Sequence, residues 1–179
     1  MVPSATWSAS VTGADGDEVL RLKASIDAGV AFRVWSVRLT GWLPDCLVAE
    51  VGSTGVTGLP TKGDLDVAVV APDAVAWSDV VARLGPHLEP HEPEHWSATW
   101  ASFRGTGESG EVGVQVVVAH SEEDTFLRGF RTLLLQDPAV VARYATLKEH
   151  YDGRSMREYR VAKGRVVQRE VLAQTTSSS

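Results

Sequence analysis

Two aspartates at the start of a short apolar run constrain the fold of this chain more than any other feature of its sequence. The run Asp64–Val70 is typical of a buried β-strand, and Pro72 ends it. Because successive side chains of a strand point to opposite faces, Asp64 and Asp66 share one face and the apolar side chains between them lie on the other. The sequence therefore predicts a sheet with two carboxylates on one side.

A glycine-rich segment precedes this strand and adds groups suited to binding phosphate. Cys46–Val51 is predicted to be a short buried strand, and residues 52–63 a loop without helical periodicity. Gly52 lets a phosphate approach the backbone closely, and Ser53 offers both an amide and a hydroxyl. Lys62 could place a positive charge on a triphosphate.

Paired carboxylates beside such a loop are suited to metal-assisted phosphoryl transfer. Mg²⁺ takes oxygen ligands, usually one or two carboxylates together with substrate phosphates. Asp64 and Asp66 could hold two ions that clamp the attacking and leaving oxygens of an in-line displacement. Each motif also occurs by chance. Their order, and the ten residues between Ser53 and Asp64, match the pattern of the DNA polymerase β-like nucleotidyltransferase superfamily.

The segment Val51–Val67 resembles the signature of the GrpB family, commonly H-V-G-S-T-[SA]-V-P-G-L-x-x-K-P-x-I-D-[IV]. The similarity extends over residues 45–173 and includes Val114–Val118, Phe130–Arg131, Asp137–Pro138, Tyr144–Lys148, Tyr159 and Lys163. The resemblance implies an α/β (α+β) fold of the polymerase β-like nucleotidyltransferase type, with a mixed sheet, flanking helices and a helical C-terminal part. It also implies a nucleotide-binding set comprising Gly52, Ser53, Thr54, Lys62, Arg131 and Lys163.

The chain departs from the family pattern at its acidic positions. Glu50 replaces the usual histidine of the first motif, and Gln115 stands where the family tends to have histidine. The family commonly lacks the first carboxylate of the pair, which this chain has as Asp64. A third carboxylate often completes such sites, and Glu111 and Glu50 are both candidates for it.

Together these residues predict a Mg²⁺-dependent nucleotidyltransferase that moves a nucleoside monophosphate from an NTP to a small-molecule acceptor, with Asp64 and Asp66 as catalytic metal ligands. The alternative is a non-catalytic module that binds a nucleotide or coenzyme A and assists a partner, since GrpB-like domains also occur fused to dephospho-coenzyme A kinase. Asp64 favours the enzyme, because a binding module has no need of a second metal ligand.

The composition is typical of one globular domain. The 179 residues are 44% hydrophobic and 22% charged, and no apolar run approaches the roughly 18 residues that cross a bilayer. We expect a flexible lead-in over residues 1–16, a single domain over 17–173 and a disordered tail over 174–179. The single Cys46 and a start without secretory features predict a cytoplasmic protein. The net charge of −6 argues against nucleic acid as a partner.

Hydrophobic periodicity predicts the other elements. Apolar residues at helical spacing from Glu18 predict a helix that Gly29 weakens or ends, and a mixed segment then leads to Pro44. The further predictions are helices over residues 74–84, 122–135, 138–151 and 155–173 and a valine-rich strand over 111–119. Residues 86–110 are predicted to form an irregular excursion or a ragged hairpin.

Three further groups of residues have a functional and a structural interpretation. The histidines could bind zinc or border the acceptor pocket, but a polar loop is the simpler account because prolines interrupt them; they are His87, His91 and His95. Three tryptophans could stack on a base, although such residues more often lie in the core or at its rim; they are Trp77, Trp96 and Trp100. Arg128 could join Arg131 and Lys163 at phosphates or lie on a solvated helix face.

Overall fold

The computed structural model describes residues 18–23 and 27–177, with side chains up to residue 171. In this part of the chain the strands are β1 (Leu47–Val51), β2 (Leu65–Ala71), β3 (Glu89–Pro90), β4 (Trp100–Gly107) and β5 (Gly110–Val118). They form one sheet in the order β1-β2-β5-β4-β3. β2 and β5 are parallel, and the other neighbouring pairs are antiparallel. The strand that follows Asp64 is therefore paired on both sides.

Helices flank this sheet and make up the C-terminal part of the chain. They are α1 (Ala28–Trp42), α2 (Ala74–Leu84), α3 (Glu122–Gln136), α4 (Pro138–Tyr151) and α5 (Met156–Ser177), with a short 3₁₀ helix at Pro93–His95. Asp137 caps α4 by accepting hydrogen bonds from the first backbone amides after Pro138, as the sequence predicts. Within the described residues, no helix is both long and apolar enough to cross a membrane.

The two faces of the sheet are covered by different helices. One face of β2, β4 and β5 packs against α1 and α2, with Trp35 and Phe103 among the largest buried side chains. The other face packs on α3 through a smaller cluster that includes Val51, Val117 and Leu127. A further cluster joins α3, α4 and α5 to the loop after β1. The mixed sheet, the flanking helices and the helical C-terminal part agree with the predicted fold class.

The prediction of a helix from Glu18 to about Gly29 is wrong. Residues 18–23 run alongside other segments, with isolated bridges from Val19 to Ser155 and from Lys23 to Thr61. The first described helix, α1, begins at Ala28 with Asp27 as its N-cap, so Gly29 lies in its first turn and does not end it. The periodic valines misled the prediction because Val19 and Val30 are substantially exposed and mark no buried helix face.

Smaller corrections concern the sheet and the chain's last helix. β1 lies at the sheet edge, and Leu47 is 54% exposed, so β1 is not the buried strand that its apolar composition predicts. Residues 86–110 contain the regular strand β4, which forms a hairpin with β5. Helix α5 ends at Ser177, so residues 174–177 of the predicted tail are helical. The lead-in over residues 1–16 lies outside the described residues, and the single-domain assignment stays a prediction.

Candidate active site

The carboxylate of Asp66 lies against two glycines. Asp66 is the second residue of β2, opposite Val51 on one side and Gly113 of β5 on the other. A Cβ atom added to Gly52 would lie 2.5 Å from Asp66 Oδ2, and one added to Gly113 would lie 3.2 Å from Oδ1. Gly52 also has φ of +71°, which L side chains rarely adopt. The position of the Asp66 carboxylate therefore depends on the absence of a side chain at Gly52, and a side chain at Gly113 would crowd it.

Asp64 lies just before β2 and contacts a lysine. Lys62 Nζ is 2.8 Å from Asp64 Oδ2. Both aspartates line one cavity of about 240 Å³ together with Gly52, Lys62 and, from α5, Lys163. Five of the residues assigned to the site from the sequence thus face the same space.

The pKa values of the two carboxyl groups are shifted in opposite directions. Burial and the negative charge of Asp64 raise the pKa of Asp66 above its ordinary value, and the nearby lysines only partly offset this. Burial also acts on Asp64, but the charge and hydrogen bond of Lys62, with help from Lys163, outweigh it and hold its pKa below the ordinary value. Asp66 therefore carries the less favourable of the two negative charges.

The other assigned residues hold the loop and do not line the cavity. Thr54 Oγ1 donates to the backbone carbonyl of Asp64 at 2.7 Å and contacts Thr61 Oγ1 at 3.1 Å. Arg131 donates to the backbone carbonyl of Thr54 at 2.9 Å and forms an ion pair of 2.9 Å with Glu50. Ser53, a residue of the loop itself, is buried. These contacts fix the path of the glycine-rich loop relative to β2.

A buried group under this loop was not assigned to the site from the sequence. Lys148 of α4 is 3% exposed, and its Nζ donates to the backbone carbonyl of Pro60 at 2.7 Å. The hydroxyls of Tyr144 and Tyr159 are 3.1 Å apart, and Tyr144 also shares a hydrogen bond with the Ser53 side chain. The available signal was the spacing of Tyr144 and Lys148, which puts two polar-tipped side chains on one face of a predicted helix.

The opposite side of the cavity carries positive charge and apolar surface. Arg104 of β4 and Arg160 of α5 line it, together with Glu92 from the segment before the 3₁₀ helix. Arg160 lies 3.4 Å from Glu92 Oε1, and Arg104 lies 3.1 Å from His91 Nε2. Apolar side chains also line the cavity, including Trp100, Leu127, Phe130 and Val167.

Neither candidate for a third carboxylate lines the cavity. Glu111 is an exposed residue near the start of β5. Glu50 pairs with Arg131, although burial still raises the pKa of the Glu50 carboxyl above its ordinary value. Among the described residues, no group of three or more His, Cys, Asp or Glu side chains is arranged to hold a metal ion. A metal at this site would depend on the two aspartates and on oxygen atoms of a substrate.

The histidines and tryptophans are dispersed. His87 stacks on Trp42 with ring centroids 4.3 Å apart, whereas His91 lines the cavity. Trp77 packs on the opposite face of the sheet against the core beside α2, which is inconsistent with stacking on a base in this cavity. Trp100 does line the cavity and donates its indole N–H to Gln115 Oε1 at 3.2 Å.

Arg128 and Cys46 have structural surroundings. Arg128 pairs with the fully buried Asp124 one helical turn earlier and does not line the cavity. This pairing supports the structural interpretation of Arg128 over a phosphate-binding one. Cys46 is partly buried and packs against the main core, and burial raises the pKa of its thiol.

We expect the stability of the protein to increase between pH 7 and pH 10 because of Lys148. Burial and the charge of Lys163 lower the pKa of Lys148 to about 8. Between that value and its ordinary pKa, the unfolded chain binds a proton that the folded chain does not, so stability rises with pH by about 2 kcal/mol. Above pH 10 this rise in stability ends. Burial raises the pKa of Tyr144 and Tyr159, so the folded chain keeps protons that the unfolded chain releases.

Thermal unfolding of the wild type and of Lys148→Met across this pH range measures the effect. The variant cannot titrate at this position and is expected to show a nearly flat profile over the same interval. Lys23→Met, at a lysine exposed to solvent, serves as the control. An equal rise in the wild type and Lys148→Met would contradict the assignment to Lys148.

Comparison with solved structures shows a known protein that shares the fold of this chain. A crystal structure of the conserved protein GrpB from Enterococcus faecalis superposes with a TM-score of 0.66 at 22% identity, covering 86% of this chain and 98% of that one. The two proteins share a fold. A structure of the Cid1 poly(U) polymerase bound to MgATP overlaps with a TM-score of 0.47 at 14% identity, covering 70% of this chain and 42% of that one.

Sequence comparison defines the family. Residues 19–172 match the family model described as GrpB protein. A UPF0157 protein of Vibrio cholerae is 31% identical over 143 residues, which cover 80% of this chain and 74% of that protein. The chain belongs to the GrpB family, and the resemblance noted for the segment Val51–Val67 is confirmed.

Proposed function

We propose that this protein transfers a nucleoside monophosphate from an NTP to a small-molecule acceptor in a Mg²⁺-dependent reaction. The observation that carries the proposal is the pair of carboxylates, Asp64 and Asp66, on the wall of a cavity that Lys62 and Lys163 also line. This combination offers ligands for a cation and counter-charges for a polyphosphate in one space.

The donor set fits Mg²⁺. Two carboxylates are the number that a magnesium site commonly takes from a protein when substrate phosphates supply further oxygens. The raised pKa of Asp66, caused by burial and by its neighbour Asp64, marks a place where a bound cation would relieve repulsion. When bound, Mg²⁺ would neutralise charge on the transferred phosphoryl group and on the leaving pyrophosphate.

The protein's own groups then have distinct roles. Gly52 would let the phosphates approach the loop backbone, and Lys62 and Lys163 would balance their charge. We assign Ser53, Thr54 and Arg131 to nucleotide binding indirectly, since their polar groups already hold the loop in shape. Most of the preorganisation for phosphate binding would thus be built into the folded chain before a nucleotide arrives.

One observation favours a second candidate function. Neither Glu50 nor Glu111 lines the cavity, so a third carboxylate is not supplied from either predicted position. A module that binds a nucleotide or coenzyme A without transferring it requires cations and a phosphate loop, but no complete set of acids. That alternative shares the same cavity and differs in its dependence on Mg²⁺ and on Asp64.

Calorimetric titration of the four NTPs, with and without Mg²⁺, separates these candidates. We expect the wild type to bind at least one NTP in a Mg²⁺-dependent manner, and Asp64→Asn to weaken this binding by about tenfold or more, as loss of a metal ligand does. Asp79→Asn is the matched control, because Asp79 lies on the exposed surface of α2 and pairs only with Arg83 among the described ion pairs.

Each outcome has a defined meaning. Mg²⁺-dependent binding that is lost in Asp64→Asn supports the enzyme and directs the search to acceptors that release pyrophosphate. Binding that is unaffected by Mg²⁺ and by Asp64→Asn supports the binding module. Absence of binding for all four NTPs under both conditions contradicts the proposed transferase.

A further inference from the structure

One end of the cavity carries the two aspartates and two lysines, and the other, the positive end, carries two arginines. A residue without a side chain separates the two ends. Register across the sheet aligns Asp66 of β2 with Gly113 of β5, and Gly113 with Arg104 of β4. Residues paired in register across neighbouring strands face the same side of a sheet, so all three positions face the cavity. Since adjacent strands are about 4.8 Å apart, Asp66 and Arg104 are separated by roughly 10 Å of open sheet surface.

A second guanidinium supports the positive end. Arg160 of α5 lines the same cavity, and its side chain is only 19% exposed. It contacts Glu92, whose side chain is 12% exposed, at 3.4 Å. Glu92 has φ of +46°, an uncommon conformation for a residue other than glycine, which brings its carboxylate to the cavity wall. A protein carboxylate thus already occupies part of the space around Arg160.

We propose that the positive end, formed by Arg104 and Arg160, binds an anionic group of the acceptor, either a carboxylate or a phosphate. The inference rests on the proposed transferase function, because it identifies the molecule that receives the nucleotidyl group. Guanidinium groups recognise planar carboxylates and phosphates through paired hydrogen bonds. The nucleophilic group of an acceptor held there would point across Gly113 toward Asp66.

The remainder of the wall suits a small organic anion. Trp100, Leu127 and Phe130 contribute apolar surface beside the charged groups, which would contact the carbon skeleton of the acceptor. Glu92 is expected to compete with the ligand, since its carboxylate contacts the same guanidinium. Removal of that negative charge should therefore strengthen anion binding.

Binding of simple anions to the full chain tests the proposal without nucleotide or Mg²⁺. Inorganic phosphate and succinate are titrated separately in EDTA, and the stronger ligand identifies the preferred anionic group. Arg104→Gln and Arg160→Gln are each expected to weaken binding about tenfold, the loss of a charge-assisted hydrogen bond. Glu92→Gln is expected to strengthen it severalfold. Arg104→Lys, which keeps the charge but loses the planar fork, should give an intermediate affinity.

The controls distinguish this site from general basic surface and from the nucleotide site. Arg157→Gln removes an exposed arginine from the same helix as Arg160 and should leave anion binding unchanged. Asp64→Asn removes a negative charge from the same cavity, so it should not weaken anion binding even if NTP binding is lost, and the two proposals can fail separately. Failure of both phosphate and succinate to bind, or binding that persists in both Arg104→Gln and Arg160→Gln, would overturn the proposal.

Discussion

Replacing Gly52 with alanine is expected to destabilise the protein by about 3 kcal/mol and to abolish Mg²⁺-dependent nucleotide binding. The left-handed backbone at φ +71° costs an alanine roughly 1–2 kcal/mol. The added Cβ would lie 2.5 Å from Asp66 Oδ2, and overpacking of this kind costs about 1–3 kcal/mol more. The collision falls on a proposed metal ligand, so stability and binding should be lost together.

Thermal unfolding and NTP titration of Gly52→Ala measure both effects. Gly41→Ala is the matched control, because a Cβ at Gly41 in α1 would meet no atom within 4 Å. That control is expected to gain about 0.5 kcal/mol from the higher helix propensity of alanine. Gly52→Ala with wild-type stability and wild-type NTP binding would show that neither the backbone conformation nor the contact with Asp66 matters.

Asp66→Asn is expected to stabilise the free protein while it removes the proposed metal site. Burial and Asp64 raise the pKa of Asp66, so the folded chain binds this proton more tightly than the unfolded chain does. The contribution is present at acid pH and is lost as pH rises through the folded-state pKa. Asparagine cannot ionise, so Asp66→Asn should retain this stabilising contribution at neutral pH. The expected gain is on the order of 1 kcal/mol, or about 3 °C in Tm.

Asp66→Asn should weaken nucleotide binding although it raises stability. Mg²⁺-dependent NTP binding should fall more than about 100-fold, since changes in outer-sphere partners alone cost 10–100-fold. The measurement is the Tm in EDTA at neutral pH, together with NTP titration in Mg²⁺.

Asp64→Asn provides the comparison for this prediction. Lys62 holds the pKa of Asp64 below its ordinary value, so removal of this charge should lower stability by up to about 1 kcal/mol. A general effect of losing one negative charge would change the Tm of both variants in the same direction. Opposite changes in Tm would therefore reflect the different surroundings of the two aspartates. A Tm for Asp66→Asn below that of the wild type would contradict the charge repulsion inferred here.

The part of the candidate site that lies on one continuous segment could be predicted from the sequence. Strand alternation predicted that Asp64 and Asp66 share one face, and the Gly-Ser motif predicted a glycine-rich loop beside them. Both features are visible in the local pattern of residues 52–66, although Arg131 and Lys148 also hold the loop in place. The valine-rich strand and the capped helix beginning at Pro138 were predicted for the same reason.

The remaining walls of the cavity depend on tertiary contacts that local patterns do not encode. Arg104 lines the cavity because β4 pairs with β5 in one register, whereas the sequence left residues 86–110 open between an irregular excursion and a ragged hairpin. Lys148 belongs with the site because α4 packs under the loop and brings Nζ to Pro60. The family resemblance assigned Arg131 to phosphate binding. In the structure its guanidinium donates to the backbone carbonyls of Gly52 and Thr54 in the loop. Long polar side chains can reach several partners, so spacing alone does not select one.

The position of β2 within the sheet also has a consequence during synthesis of the chain. Among the strands of the sheet, β1 and β2 are translated first. β5, the other neighbour of β2, follows only after α2, β3 and β4. Until then β2 has one open edge, and an apolar strand with an open edge tends to associate with other chains. The two aspartates at its beginning would repel the same strand of a second nascent chain. We therefore expect the acid pair to oppose this association before the sheet is complete.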